Sequence, residues 1–117
     1  DGWETKRNRT PNNEDWVILR LGHQGIVKKI LVDTKHFKGN YPDSCAIDYC
    51  NCQDDQIVIN GKSDWKPLLT KQKLQANQEH IFKADILENN NPITHVKLKI
   101  YPDGGISRLR IFGTITH

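Results

Sequence analysis

Several features that would assign a protein class at once are absent from the 117-residue sequence. No apolar run approaches the ~20 residues that a membrane-spanning helix needs, so no membrane partner is predicted. The formal net charge is only +3 and no run of like charge exceeds a few residues, so no nucleic-acid partner is predicted. No secretory signal pattern is present. The chain opens directly on Asp1 to Glu4, which indicates a domain excised from a longer chain.

Cysteine is scarce, and its three copies lie close together at Cys45, Cys50 and Cys52. An odd number of cysteines without a secretory context favours a reducing compartment, so we predict a cytoplasmic location and leave a peroxisomal one open. Cys50 and Cys52 are too close in sequence for an easy disulfide, because bridge geometry is strict. Zinc would need a fourth ligand and a wider cysteine spacing. We therefore predict free thiols and assign no metal ligand, with zinc as the alternative.

The motifs of several enzyme classes are missing too. The sequence has no G-x-S-x-G nucleophile elbow, no H-E-x-x-H zinc motif and no glycine-rich phosphate loop. It also has no D-x-D-x-D-G calcium loop, so no cofactor is predicted and a divalent cation is left open only as an alternative. Any chemistry must therefore come from polar side chains that the fold brings together on loops.

What the sequence does contain is alternation of apolar and polar residues, the pattern of half-buried strands. The stretch 95–113 holds two such runs, separated by a Pro-Asp-Gly-Gly turn sequence. If the runs paired directly, their cations would lie close together at a cost of up to about 1 kcal/mol per opposed pair. Carboxylates or an anionic ligand would relieve this repulsion, and a solvated face is the alternative. The apolar residues are Val96, Leu98, Ile100, Leu109 and Ile111, and the cations are Lys97, Lys99, Arg108 and Arg110.

Other parts of the chain show the same strand pattern. Residues 15–21 and 26–33 are predicted strands, with a turn at Gly22 to Gly25, and residues 34–43 form a loop with aromatic and basic side chains. Sustained helical periodicity is absent. Short strands with turn signals every 8–12 residues favour one all-β domain over residues 1–117, an antiparallel β-sandwich or jelly roll. The remaining predicted strands are 44–50, 65–69 and 79–87.

Polar side chains on the predicted loops suit a small anionic or polar ligand. A guanidinium fork binds a carboxylate through two parallel hydrogen bonds. A histidine or aspartate nearby could move protons near neutral pH. Surface ion pairs and hydrogen bonds that organise the loops are the structural alternatives for the same residues. These residues are Arg7, Arg9, Asp33, His36, Asn40, His95, Asp103 and Arg108.

Four blocks of the sequence, taken together, resemble the repeat of the allantoicase family. They are DGWETKR at 1–7, DWVILRLG at 15–22, VDTKHFKGNYP at 32–42 and THVKLKIYPDGGISRLRIFG at 94–113. The resemblance implies a galactose-binding-like jelly roll, in agreement with the strand pattern. It also implies hydrolysis of allantoate to ureidoglycolate and urea in purine (allantoin) catabolism. Family enzymes carry two such repeats in one chain, so the implied partners are allantoate and a second repeat, with a homo-oligomer left open.

The implied reaction constrains the mechanism. Urea leaves intact, so the bond that breaks joins the central carbon of allantoate to a ureido nitrogen. The site must hold the substrate carboxylate, protonate the departing nitrogen and deliver water. We expect Arg7 or Arg108 to bind the carboxylate and His36 or Asp33 to move protons, while other polar groups orient the ureido arms. The catalytic candidates are His36, Asp33 and Asp103, and the substrate-binding candidates are Glu4, Arg7, Asn40 and Arg108.

Two other functions compete with a hydrolase. The first is a non-catalytic ligand-binding or assembly module retained from an allantoicase, because a fold does not fix a function. The second is a structural half of a larger enzyme that contributes an interface and no chemistry. Convergence of Arg7, His36 and Asp103 in one pocket would favour catalysis, and dispersed loops would favour the other two.

Overall fold

The structure is a computed structural model that describes residues 5–9, 15–37, 39, 41–102 and 104–116, with side chains described from Trp16 onward. The described part of the chain forms seven strands and one short helix, and every strand pairing is antiparallel. The elements are β1 (Thr5–Arg9), β2 (Asp15–Asp33), β3 (Ser44–Cys50), α1 (Asp55–Ile59), β4 (Lys66–Lys73), β5 (Glu79–Lys83), a 3-10 turn (Ala84–Ile86), β6 (Ile93–Tyr101) and β7 (Arg108–Ile115).

Strand β2, which is 19 residues long, organises the sandwich. Its first half pairs with β1 and β6, and β6 continues the sheet through β3 to β4. Its second half pairs with β5 on one side and β7 on the other. Because β2 is shared, the sheet curls over itself and encloses a core. The predicted all-β, antiparallel jelly-roll fold is confirmed.

The predicted turn at Gly22 to Gly25 is wrong, since β2 runs through it without a break. The register of β2 against β6 shifts between Arg20 and Gly25, which is the mark of a bulge. Bulges bend a strand and let it pass from one sheet to another. A Cβ at Gly25 would lie 2.6 Å from the carbonyl oxygen of Thr114, so only glycine fits there. The glycines therefore permit a bend inside one strand, where sequence alone suggested a reversal.

The two predicted strands around the Pro-Asp-Gly-Gly sequence are confirmed. In the described structure they do not pair with each other, so their cations do not repel one another across a shared pairing. In the described structure β6 pairs with the first half of β2 and β7 with the second half, so the two strands lie one after the other along β2. Lys97 lies over the rings of Trp16 and Trp65, 5.1 and 4.7 Å from their centroids. Lys99 pairs with Asp48 at 2.9 Å. A face that is merely solvated therefore does not explain the lysines of β6, because both have partners within the protein.

The core follows the predicted alternation. Burial of each of these large apolar side chains contributes roughly 1.5–3 kcal/mol. A smaller cluster under α1 joins Ile18, Cys50 and Val58 on the opposite face of the sheet. The main cluster between the two halves includes Ile30, Val32, Ile47, Leu68, Leu69, Leu74, Ile93, Val96, Leu98 and Ile100.

The three cysteines are free thiols. Burial raises the pKa of Cys45 to about 12 and that of Cys50 to about 11. A thiol with so high a pKa holds little thiolate at neutral pH and is a poor nucleophile. Cys45 and Cys50 therefore behave as small core residues. No helix in the described ranges is long and apolar enough to cross a membrane.

Candidate active site

Two of the predicted site residues meet at the end of β2. Asp33 is the last residue of β2 and Arg108 the first residue of β7, and the register places them opposite each other. Arg108 Nη2 donates to Asp33 Oδ2 at 3.1 Å, and the amide of Lys35 donates to Asp33 Oδ1 at 2.8 Å. Ser107 donates both its amide and its hydroxyl to the Asp33 carbonyl oxygen, at 2.8 and 3.0 Å. Asp33 thus anchors the start of β7 and its arginine.

Glu79 and Lys35 complete this ionic cluster, and sequence reasoning missed both. Glu79 lies opposite Asp33 on β5, and its Oε2 is 3.4 Å from Arg108 Nη2 and 3.5 Å from Lys35 Nζ. The cluster could not be inferred from spacing, because the sheet register alone brings β5, β2 and β7 together. Lys35 lies in the loop block that carried the family resemblance, which was the one available signal.

The carboxylate of Asp33 is fixed in its charged form. Burial, with only 2% of the residue exposed, acts to raise its pKa. The Lys35 amide and the Arg108 guanidinium together outweigh burial, so the pKa of Asp33 is lowered. A carboxylate with a lowered pKa is a weak proton acceptor near neutral pH. The geometry therefore favours Asp33 as the group that positions Arg108.

An open cavity of about 600 Å³ lies beside this cluster. Among the described residues that line the cavity, Arg108 is the charged one. Every hydrogen bond that Arg108 makes to a described side chain uses Nη2. No described side chain accepts a hydrogen bond from its Nε or Nη1, so these donors can bind an anion. The lining comes from β2, β6, the start of β7 and the loop before it: Trp16, Val17, Leu19, Phe37, Leu98, Ile100, Gly104, Gly105, Ile106, Ser107, Arg108 and Leu109.

The loop before β7 packs tightly against the loop after β2. A Cβ at Gly105 would lie 2.0 Å from Phe37 Cε1, and one at Gly104 would lie 2.6 Å from the backbone of Tyr41 and Pro42. Gly104 also has φ +137°, which side chains rarely adopt. The glycine pair thus lets the 104–107 loop close one side of the cavity. This gives the two glycines of the predicted Asp-Gly-Gly turn a packing role.

The other predicted site residues are placed only in part. His36 is exposed, adopts a left-handed backbone with φ 74°, and donates its amide to Asn77 Oδ1 at 2.8 Å. The backbone of Arg7 lies in β1 opposite Val17, which lines the cavity, and its side chain is outside the described part. Glu4, Asn40 and Asp103 lie outside the described residues. The described structure therefore brings together Asp33 and Arg108, with His36 three residues after Asp33 in the loop that follows β2.

A second polar network lies on the other side of the sheet. Arg20 Nη1 donates to Asp55 Oδ2 at 2.7 Å, and His95 Nε2 lies 2.9 Å from Asp55 Oδ1. The hydroxyl of Thr94 is 2.8 Å from His95 Nδ1 and accepts the Cys52 amide at 2.8 Å. His95 is buried and is absent from the cavity lining. The described contacts of Arg20 and His95 fasten α1 to β2 and β6.

The ion pair of Asp33 makes a pH-dependent prediction. Since the pKa of Asp33 is lowered in the folded state, its stabilisation is complete above the unfolded value of about 3.9 and disappears as pH falls through the folded value. We expect Asp33→Asn to lower the free energy of unfolding by about 2 kcal/mol at pH 7 and by progressively less as pH falls below that unfolded value. Denaturant unfolding at a series of pH values measures this. Glu88→Gln, at an exposed site without an ion pair in the described part, is the matched control; an Asp33→Asn effect that stays constant with pH would contradict the assignment.

Known proteins resemble this chain over nearly its whole length. The family model of the Allantoicase repeat matches residues 1–116. The chain belongs to the allantoicase family. A probable allantoicase of Stutzerimonas stutzeri is 51% identical over 117 residues, and the match covers 98% of this chain and 35% of the relative. A probable allantoicase of Rhizobium meliloti is 47% identical over 120 residues with the same coverage. The chain thus spans 35% of the length of these relatives.

Solved structures support the same family and fold. The crystal structure of allantoicase from Saccharomyces cerevisiae superposes with a TM-score of 0.72 at 37% identity, covering 97% of this chain and 31% of that one. A structure of reduced XRCC1 bound to the DNA polymerase β catalytic domain superposes with a TM-score of 0.68 at 13% identity, covering 87% and 74%. The second likeness shows the fold alone. The domain is a galactose-binding-like β-sandwich of the allantoicase family.

Proposed function

We propose that this chain is a hydrolase domain of allantoicase type, which converts allantoate and water to ureidoglycolate and urea. The observation that carries the proposal is identity of about 50% over nearly the whole chain to proteins named probable allantoicase. The structure supports it with an arginine that is held by a buried carboxylate beside an open cavity. Allantoate is a small carboxylate, and the guanidinium group is suited to bind it.

Arg108 is the proposed carboxylate-binding residue. Asp33 and Glu79 contact it through Nη2 and so hold that end of the guanidinium group, while Nε and Nη1 can donate to the substrate. Asp33 acts as a positioning residue in this scheme. Arg7 is the second proposed carboxylate ligand, supported by its register opposite Val17 of the cavity.

His36 is the proposed proton-transfer residue. The bond between the central carbon and one ureido nitrogen breaks, a bond from that carbon to a water oxygen forms, the nitrogen gains a proton and the water loses one. An imidazole can supply and recover such a proton near neutral pH. Its place on the loop that follows Asp33 supports the assignment. Glu4, Asn40 and Asp103 are retained as proposed contacts to the ureido groups.

The proposal includes the setting of the domain. We propose one allantoicase repeat over residues 1–117, joined to a second repeat in a longer chain. The repeat model and the 35% coverage of the relatives support this organisation. A cytoplasmic location is also proposed, and the free thiols of Cys45, Cys50 and Cys52 support it.

Release of urea from allantoate tests the function directly. It should be measured on this domain and on the longer chain, each with and without a chelator. Activity in the domain alone would place a complete site within these residues, and activity only in the longer chain would require the second repeat. Loss on chelation would add a divalent cation to the site. If neither protein releases urea, the hydrolase proposal is contradicted and the non-catalytic module remains. The aliphatic lining of the cavity at Val17, Leu19 and Leu98 favours that module.

Replacement of His36 tests the proton-transfer role. Asparagine is the better substitute, because it tolerates the left-handed backbone that His36 adopts. We expect His36→Asn to lower kcat by roughly 10²–10⁴-fold, the usual contribution of one acid–base group. His23→Asn, which changes another exposed histidine, should leave kcat unchanged. A loss of less than about tenfold would remove His36 from the catalytic set.

A further inference from the structure

The outward side of the three strands β5, β2 and β7 carries a strip of apolar side chains that the described part of the chain leaves exposed. Ile30, Val32 and Phe82 point into the core, so their neighbours in sequence point outward. The register places Ile81 and Arg110 on either side of Leu31, and Lys83 and Phe112 on either side of Lys29. Ile81 is 52% exposed and Phe112 37%. We call this surface the outer face; it consists of Lys29, Leu31, Ile81, Lys83, Arg110 and Phe112.

The charges of the outer face are unbalanced. Lys29 and Lys83 lie directly opposite each other, an arrangement of like charges that destabilises a sheet. Lys29 lies over the ring of Phe112, 4.6 Å from its centroid. Among the described residues no carboxylate pairs with Lys29, Lys83 or Arg110. The end of the same three strands differs, since Arg108 there has Asp33 and Glu79 as partners.

We infer that the outer face packs against a carboxylate-bearing surface of the second repeat in the longer chain. This rests on the proposed function, which supplies that repeat. The relatives extend well beyond this domain, so the proposed longer chain offers a large surface that could cover it. Apolar side chains at the centre with charged groups around them are typical of such interfaces. Acidic groups on the partner would relieve the repulsion between Lys29 and Lys83.

Self-association fits this surface poorly. A two-fold dimer brings the same patch of both copies together. The cations Lys29, Lys83 and Arg110 of one copy would then face those of the other. Like charges that face each other across an interface disfavour binding, whereas opposite charges favour it. The unbalanced cations of the outer face therefore favour binding to a different, acidic surface over binding to a second copy of this domain.

Acetylation of lysine side chains in the purified longer chain tests the inference. Lys83 and Lys62 are both exposed in this domain, and Lys62 lies in the turn after α1, away from the outer face. We expect Lys83 to react with the acetylating reagent at least about tenfold more slowly than Lys62. The reason is that a face covered more than ~90% of the time exposes its lysine for less than about a tenth of the time. The difference should not change on dilution. Equal rates would overturn the inference, and protection that disappears on dilution would assign the face to a second copy and overturn it too.

A substitution on the strip provides the second measurement. Ile81→Asp places a carboxylate against the proposed acidic surface at an exposed position, so the domain should stay folded. We expect it to raise the acetylation rate of Lys83 to that of Lys62. Ile57→Asp, at a similarly exposed position on α1, should leave Lys83 protected. Lys83 that stays slow after Ile81→Asp would overturn the inference.

Urea release from the untreated longer chain separates this inference from the proposed function. An active chain with a fast-reacting Lys83 keeps the function and loses the interface. An inactive chain with a slow-reacting Lys83 keeps the interface and loses the function.

Discussion

Substitution of Arg108 by lysine is expected to lower kcat/KM for allantoate by roughly 10–100-fold in the longer chain. Lysine keeps the positive charge and can still pair with the buried Asp33. It has no planar fork, so it cannot hold Asp33 and Glu79 while also presenting two donors to a substrate carboxylate. One lost hydrogen bond to a charged group amounts to about 1.5–3 kcal/mol, and about 1.4 kcal/mol is a tenfold change. Steady-state urea release measures the effect.

The control for this result removes a charge elsewhere. Lys62→Met changes an exposed lysine outside the cavity and should leave kcat/KM unchanged. The effect of Arg108→Met should exceed that of Arg108→Lys, because methionine also leaves the buried Asp33 without its main cation. If both Arg108 variants stay folded and within about threefold of the parent, the substrate carboxylate is bound elsewhere.

Substitution of Gly104 by alanine is expected to cost about 3 kcal/mol of unfolding free energy and to abolish most activity. The new Cβ would lie 2.6 Å from the backbone of Tyr41 and Pro42, atoms that cannot rotate away. The backbone at φ +137° would be strained in addition. Strain and overpacking each cost about 1–3 kcal/mol. Since Gly104 lines the cavity, the loop must move and the cavity must change shape.

Gly61 offers a matched control for this prediction. It also has a left-handed backbone, with φ +76°, but a Cβ added there would have no atom within 4 Å. Gly61→Ala therefore isolates the conformational cost, about 1 kcal/mol, and should leave urea release intact. Denaturant unfolding of both variants, with the activity assay beside it, measures the difference. Equal losses for the two variants would show that the contact with Tyr41 and Pro42 carries no energy.

Much of the fold could be predicted because strand patterns are local. Alternation marked Val96, Leu98 and Ile100 as core residues, and all three are buried. The family could likewise be inferred from linear blocks of sequence. Helix α1 was not predicted, because five residues are too few to show a helical period. Phe37 and Gly105 both lie in segments that sequence singled out, yet nothing local indicated that they contact each other.

The sequence by itself determined the fold class, the family and the residue types from which a site could be built. Only the tertiary structure decided that β2 runs through Gly22 to Gly25 and that β6 and β7 share it as a partner. It also paired Asp33 with Arg108 across 75 residues and His95 with Asp55 across 40. The physical reason is that pairing register depends on hydrogen bonds between distant strands and on which faces can be buried together. Side-chain alternation fixes the face that a residue occupies, and the assembled sheet fixes its neighbour.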